Sequence, residues 1–115
     1  MKAALRHGPG RMECVELPVP EPGPGEVRIR VRKVGICGSD VNRVTEHADR
    51  WDRVVLGHEL AGEVDALGPD VSGLAAGERV TIAPLVPNHA SPWSQRGLYS
   101  LGDDYSFVGS RVNGA

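Results

Sequence analysis

The sequence predicts a mainly β domain, a barrel of short strands joined by tight turns with a few short helices. Two observations carry that expectation. Val27, Ile29 and Val31 alternate with Arg28, Arg30 and Arg32, the period-two pattern of a strand with one buried and one wet face. Short apolar segments elsewhere are cut by glycine and proline, with 15 Gly and 9 Pro in 115 residues, which leaves no room for long helices. The residues expected inside are Val27, Ile29, Val31, Val64, Val80 and Ile82.

Taken in order, Met1 to Arg6 and Met12 to Leu17 read as two strands joined by a turn at His7-Gly-Pro-Gly10, with His7 as an exposed loop residue. Pro18 to Gly25 cannot continue a sheet and reads as an extended surface loop. The strand of alternating Val, Ile and Arg follows, its arginines a solvated face. Ser39-Asp40 can cap a short helix running to about His47. Val54 to Leu56 and Leu60 to Leu67 have strand character punctuated by Gly57, Gly62 and Gly68, and Gly77 to Ala83 reads as a turn and a strand. From Pro84 to Ala115 the pattern dissolves into a long loop.

The length suits one core, so the chain is read as a single unit over residues 1–115. Thirteen basic against fifteen acidic residues, without a basic stripe, argue against a nucleic-acid partner. No apolar run approaches membrane-spanning length and the first residues lack the apolar core of a signal peptide, which makes the cytoplasm the default setting. Two cysteines, Cys14 and Cys37, are too few for a disulfide framework.

Chemistry concentrates between Gly35 and Gly62. Gly-Ile-Cys-Gly-Ser-Asp at 35 to 40 and Leu-Gly-His-Glu-Leu-Ala-Gly at 56 to 62 place a thiol and an imidazole beside glycines that allow a close backbone turn. Cys37 and His58 are candidate ligands of an open zinc site. Asp40 could accept the other ring N–H of His58, and Ser39 could carry a proton. A buried structural Cys with a satisfied His is the competing reading, weakened by the presence of Ser, Asp and Glu in the same stretch.

The series of strand, Pro-rich loop, Gly-Ile-Cys-Gly-Ser-Asp, Gly-His-Glu, Gly-Glu-Arg-Val and Gln95-Arg-Gly-Leu-Tyr-Ser100 resembles the catalytic half of the zinc-dependent medium-chain alcohol and polyol dehydrogenases. It is most similar to the sorbitol dehydrogenase group with its sugar-phosphate members, through Gly-Ser-Asp after the cysteine and the tail Tyr105-Ser-Phe-Val-Gly-Ser-Arg111. The resemblance implies a GroES-like, partly open β-barrel. It implies Cys37 and His58 as catalytic-zinc ligands, Ser39 as the hydroxyl relaying the alcohol proton, Asp40 as the partner of His58, and a small alcohol or polyol as substrate with NAD(P) accepting hydride. Glu59 is a ligand in some relatives, but adjacent strand residues face opposite sides, so His58 and Glu59 cannot share one ion without a local bend.

Two departures stand out. The structural-zinc loop of the resembled family carries four cysteines; alignment on Gln95-Arg-Gly97 puts Asn88, Ser91, Ser94 and Gly102 in their places, so only the catalytic zinc is expected. No Gly-x-Gly-x-x-Gly follows a strand, since Gly8/Gly10 and Gly23/Gly25 sit in Pro-rich turns, so no Rossmann nucleotide site is expected. The chain thus reads as a truncated catalytic domain, inactive alone, with self-association through the uncovered barrel. The alternatives are a non-catalytic GroES-like module, distinguished by lacking the Cys37 to Glu59 constellation, and an engineered fragment.

Overall fold

A computed structural model of the chain describes residues 1–45 and 53–114. Strands dominate, in three small antiparallel sheets. The expected end of the first helix at His47 and the interior of the Thr45 to Arg53 loop lie outside the described residues.

Strands β1 (Lys2–Arg6) and β2 (Met12–Glu16) form the expected hairpin, in register from Lys2 opposite Glu16 to Arg6 opposite Met12. The His7 N–H closes its turn on the Arg11 carbonyl at 2.9 Å. Alternation sends Ala3 and Leu5 inward, where they meet Val55, which is 1% exposed and bridged to Leu5. His7 is not the free loop residue expected: it is half-buried, with Nε2 3.2 Å from Glu13 across the hairpin.

The central sheet has the order β3-β4-β5, with β3 spanning Val27–Gly35, β4 Glu59–Leu67 and β5 Arg79–Thr81. The β3/β4 register shifts twice, between Arg28 and Ile29 and between Val31 and Lys33. Each shift rotates the residues beyond it. Val64 is buried as expected, and Val27, Ile29, Val80 and Ile82 are half-buried, but Val31 is exposed. The expectation fails at Val31, which lines an open groove on the edge strand β3, and Val34 and Ile36, which lie beyond the second shift, are exposed too.

Nor is the arginine row merely a solvated face. Arg28 and Arg30 both reach the carboxylate of Asp65, the residue that the first register shift sets between two paired positions, and Arg32 reaches Glu63 at 2.9 Å. Arg28 also donates to the Pro20 carbonyl, which fastens the Pro-rich loop to the sheet. Hydrogen bonds from Arg30 and then Arg28 hold Asp65 below the usual carboxylate range, and Arg32 does the same for Glu63.

The segment after Ala83, expected to be a featureless loop, holds short elements: β6 (Leu85–Val86), α2 (Pro92–Gln95), a 3-10 turn (Tyr99–Leu101) and β7 (Ser106–Phe107), with β6 and β7 paired. Elements of two to four residues carry too little periodicity to be read from sequence. Ser91, Ser94 and Gly102 are buried together, while Trp93 and Tyr99 are exposed rather than packed on the barrel. Their rings take polar neighbours within the segment, Arg96 over Trp93 and His89 at the edge of Tyr99. No helix among the described residues is long and apolar enough to cross a membrane.

Two outcomes test this account. Asp65→Asn should lower the thermal midpoint at pH 7, because a carboxylate with a depressed pKa contributes stability above its unfolded-chain value of about 4. That contribution disappears as pH falls through the lower folded value, so midpoints of wild type and variant should converge in acid, and also in high salt; a pH-independent gap would contradict the pairing. Ser94 Oγ is buried without a hydrogen-bond partner among the described residues. Ser94→Ala should therefore leave stability unchanged or raise it slightly in a urea melt.

Candidate metal centre

The site forms where the β3/β4 ladder ends. Its last pair sets Gly35 opposite Glu59, so the chain leaving β3 toward Cys37 runs beside the chain entering β4 from His58. Gly57, at φ +105°, makes the turn that turns His58 out of the strand, and β4 begins only at Glu59. Here is the bend that two adjacent ligands require: the obstacle raised by strand alternation does not apply. Gly35 makes the second accommodation. A Cβ there would collide with the Glu59 carboxylate, so glycine leaves the space into which that side chain folds.

As a result Cys37, His58 and Glu59 bring one sulfur, one nitrogen and one oxygen within 4.8 Å of one another. Their exposure is graded, with His58 buried, Cys37 half-buried and Glu59 exposed. Phe107 of β7 meets the His58 ring edge-on at 5.4 Å between centroids.

Helix α1 (Gly38–Thr45) starts immediately after Cys37. The Asp40 and Val41 N–H groups donate to the Cys37 carbonyl at 2.9 and 3.3 Å, which makes Cys37 the residue that opens the helix. Ser39 and Asp40 therefore lie inside the first turn, past the N-cap position, which Cys37 takes. Asp40, three residues in, reaches back with Oδ2 to the Cys37 N–H at 3.4 Å, as the acidic member of a capping box does. Its other oxygen, Oδ1, is 3.4 Å from His58 Nδ1. That ring nitrogen is buried and makes no hydrogen bond among the described residues, and Asp40 is the carboxylate it faces; with the ring proton on Nδ1, Nε2 carries the free lone pair. A carboxylate behind one imidazole nitrogen while the other joins a thiol and a second carboxylate is the donor arrangement of a zinc site. The residues present fit that ion.

Three contributors escaped the sequence. Arg43, on α1, donates to both Ser39 Oγ and Asp40 Oδ1 at 3.0 Å. Arg6, fully buried, donates from Nε to the Arg43 carbonyl at 2.7 Å. Phe107 covers His58. The i, i+3 and i, i+4 spacing of Asp40 and Ser39 to Arg43 was a usable signal; the other two depend on chain pairing alone.

Residues 23–115 match the alcohol dehydrogenase GroES-like domain. The chain belongs to that family. It is 35% identical over 115 residues to galactitol 1-phosphate 5-dehydrogenase of Escherichia coli K12, covering 99% of this chain and 33% of that enzyme. It is 44% identical over 100 residues to sorbitol dehydrogenase of Rattus norvegicus, covering 83% and 28%. The crystal structure of Escherichia coli galactitol-1-phosphate dehydrogenase superposes with a TM-score of 0.94 at 34% identity, covering all of this chain and 34% of that one. A zinc-binding dehydrogenase from Sinorhizobium meliloti, solved bound to NADP, superposes with a TM-score of 0.89 at 30% identity, covering 99% and 33%. This GroES-like domain thus spans about a third of the length of the relatives it matches.

If Glu59 is the third donor, Gly35→Ala should weaken zinc binding about 10-fold or more, because the new methyl occupies the carboxylate's place. Glu59→Gln should match it. Equal zinc affinity in wild type and both variants, by competition with a chelating dye, would remove Glu59 from the set.

Proposed function

We propose that this chain provides the zinc-binding part of the active site of an NAD(P)-linked alcohol or polyol dehydrogenase. The observation that carries the reading is the convergence of Cys37, His58 and Glu59 at the end of the β3/β4 ladder. In this reading the Cys37 thiolate, the remaining nitrogen of His58 and the Glu59 carboxylate hold the ion, while Asp40 fixes the tautomer and tilt of His58. Bound there, zinc supplies Lewis-acid polarisation of a substrate hydroxyl.

The chain's own residues then handle the proton and the geometry. Ser39 sits at the start of α1 beside Cys37, half-buried, so its hydroxyl can take the proton of an alcohol and pass its own outward. Phe107 shields one side of His58 from water. The names of the relatives, galactitol 1-phosphate and sorbitol dehydrogenases, support a polyol or polyol phosphate as substrate class. Structural neighbours solved with NADP or NADH support a nicotinamide cofactor. No glycine-rich turn of this chain offers a place for one, so residues 1–115 alone should turn over no alcohol.

We further propose that the 84–102 segment carries no structural zinc, since Asn88, Ser91, Ser94 and Gly102 offer no thiolate. Both cysteines are free, which suits a reducing, cytoplasmic setting. The exposed edge of β3, with Val31, Val34 and Ile36, and an apolar groove of about 690 Å³ beside it support self-association.

The decisive experiment is zinc titration of the chain and two serine variants. Cys37→Ser should abolish binding and Cys14→Ser should not, and wild-type affinity should fall with pH because the thiolate must form before it can ligate. Equal affinity of wild type and Cys37→Ser would make the stretch structural and end this reading.

A further inference from the structure

The geometry points to Arg43 as a positioning residue of the metal centre, one whose guanidinium holds Ser39 and Asp40 in the arrangement that aims His58. The inference rests on the zinc reading above and goes beyond it in naming what orients the site.

One nitrogen of Arg43, Nη1, donates its two hydrogens to two acceptors, Ser39 Oγ and Asp40 Oδ1, each at 3.0 Å. Two of the side chains are shielded, Asp40 8% and Arg43 16% exposed, and Ser39 is half-buried. Oδ1 is also the oxygen facing His58 Nδ1 at 3.4 Å, and Oδ2 faces the Cys37 N–H at the same distance. The Asp40 carboxylate is thus held by Arg43 and set against both candidate ligands, the backbone N–H of Cys37 and the ring of His58. Removing Arg43 frees the carboxylate to rotate about its two side-chain torsions and leaves the His58 ring without a fixed acceptor. Ser39 is affected in a different way. By accepting from Arg43, Oγ commits one lone pair, so its own hydrogen is left to point away from the guanidinium.

Arg43 is itself anchored from outside the helix. Arg6 Nε donates to its carbonyl at 2.7 Å and the Gly10 N–H donates to the Val44 carbonyl at 2.6 Å, so the β1–β2 hairpin satisfies two carbonyls at the end of α1. The hairpin thereby sets the height of the helix, and the helix sets Arg43.

The sign of the effect separates positioning from plain charge. A guanidinium near a divalent cation repels it, so by field alone Arg43→Ala would tighten zinc binding. Positioning requires the opposite. Zinc affinity of the chain should fall about 10-fold in Arg43→Ala, within the range lost when a ligand's supporting hydrogen bonds are removed. Arg43→Lys, whose ammonium can give two hydrogens from one nitrogen, should keep most of it. Asp40→Asn should cost a similar factor, and the double variant Arg43→Ala with Asp40→Asn should lose little more than either single one, since both act through the same carboxylate. Cobalt(II) substitution supplies a second readout, because a displaced imidazole shifts the visible ligand-field bands whereas a general loss of stability does not.

The proposal is overturned if Arg43→Ala binds zinc as tightly as wild type or more tightly, or if the two losses multiply independently. If Arg43→Ala does not fold, Arg43→Lys and Arg43→Met decide, with Met, which offers no donor, expected to show the loss and Lys the rescue; the reverse order or no difference also overturns it. Failure of wild type to bind zinc would bring down both this inference and the reading beneath it, whereas zinc binding indifferent to Arg43 would bring down this inference alone.

Discussion

The pairing of β3 with β4 is the constraint on which the site depends. Antiparallel strands fix who faces whom, and this ladder ends with Gly35 opposite Glu59. Two residues beyond one end lies Cys37 and one residue before the other lies His58. Slipping the register by a single position would carry Glu59 to the other face and separate the sulfur from the imidazole. The ladder resists such slippage through its side chains. Val64 is locked in the interior, and Arg28, Arg30 and Arg32 of one strand are matched to Asp65 and Glu63 of the other.

Around that ladder the chain builds two supports. On one side the β1–β2 hairpin, held to Val55 by Ala3 and Leu5, carries Arg6 to the end of α1 and so fixes the helix that bears Ser39, Asp40 and Arg43. On the other, the last residues return to the core. Asn113 accepts from the Val55 N–H at 3.1 Å and the Gly114 N–H donates to the Val55 carbonyl at 2.7 Å, while Phe107 lies against His58. Val55 is thus the point where the first strand, the segment leading to His58 and residues 113–114 meet. A change there would be felt at the site through packing and not through charge.

Ser91, Ser94 and Gly102 converge in the interior, with a Cβ on Gly102 meeting Ser94 Oγ at 2.7 Å. Short backbone hydrogen bonds of α2 and the 3-10 turn close the segment, and Ser91 Oγ accepts from the Asp103 N–H at 3.4 Å. Small polar residues at the convergence point suit the tight backbone, and the buried hydroxyl of Ser94 is the cost of that choice.

The sequence by itself determined the strands that became β1, β2, β3 and β4, though not Val54 to Leu56, which makes only an isolated bridge at Val55, because alternation and glycine or proline punctuation act over a few neighbouring residues. It also singled out Cys37 and His58 as candidate ligands, since thiol and imidazole beside glycines are legible without coordinates. Tertiary structure alone decided the rest. Whether His58 and Glu59 share one side depended on the turn at Gly57, and the room for Glu59 depended on Gly35 across the ladder. Exposure of Val31 followed from its place in an open groove on an edge strand, and the elements after Ala83 are too short to leave a period in the sequence. Arg6, Arg43 and Phe107 reach the site from three separate parts of the chain, and a linear pattern cannot record contacts made by folding distant residues together.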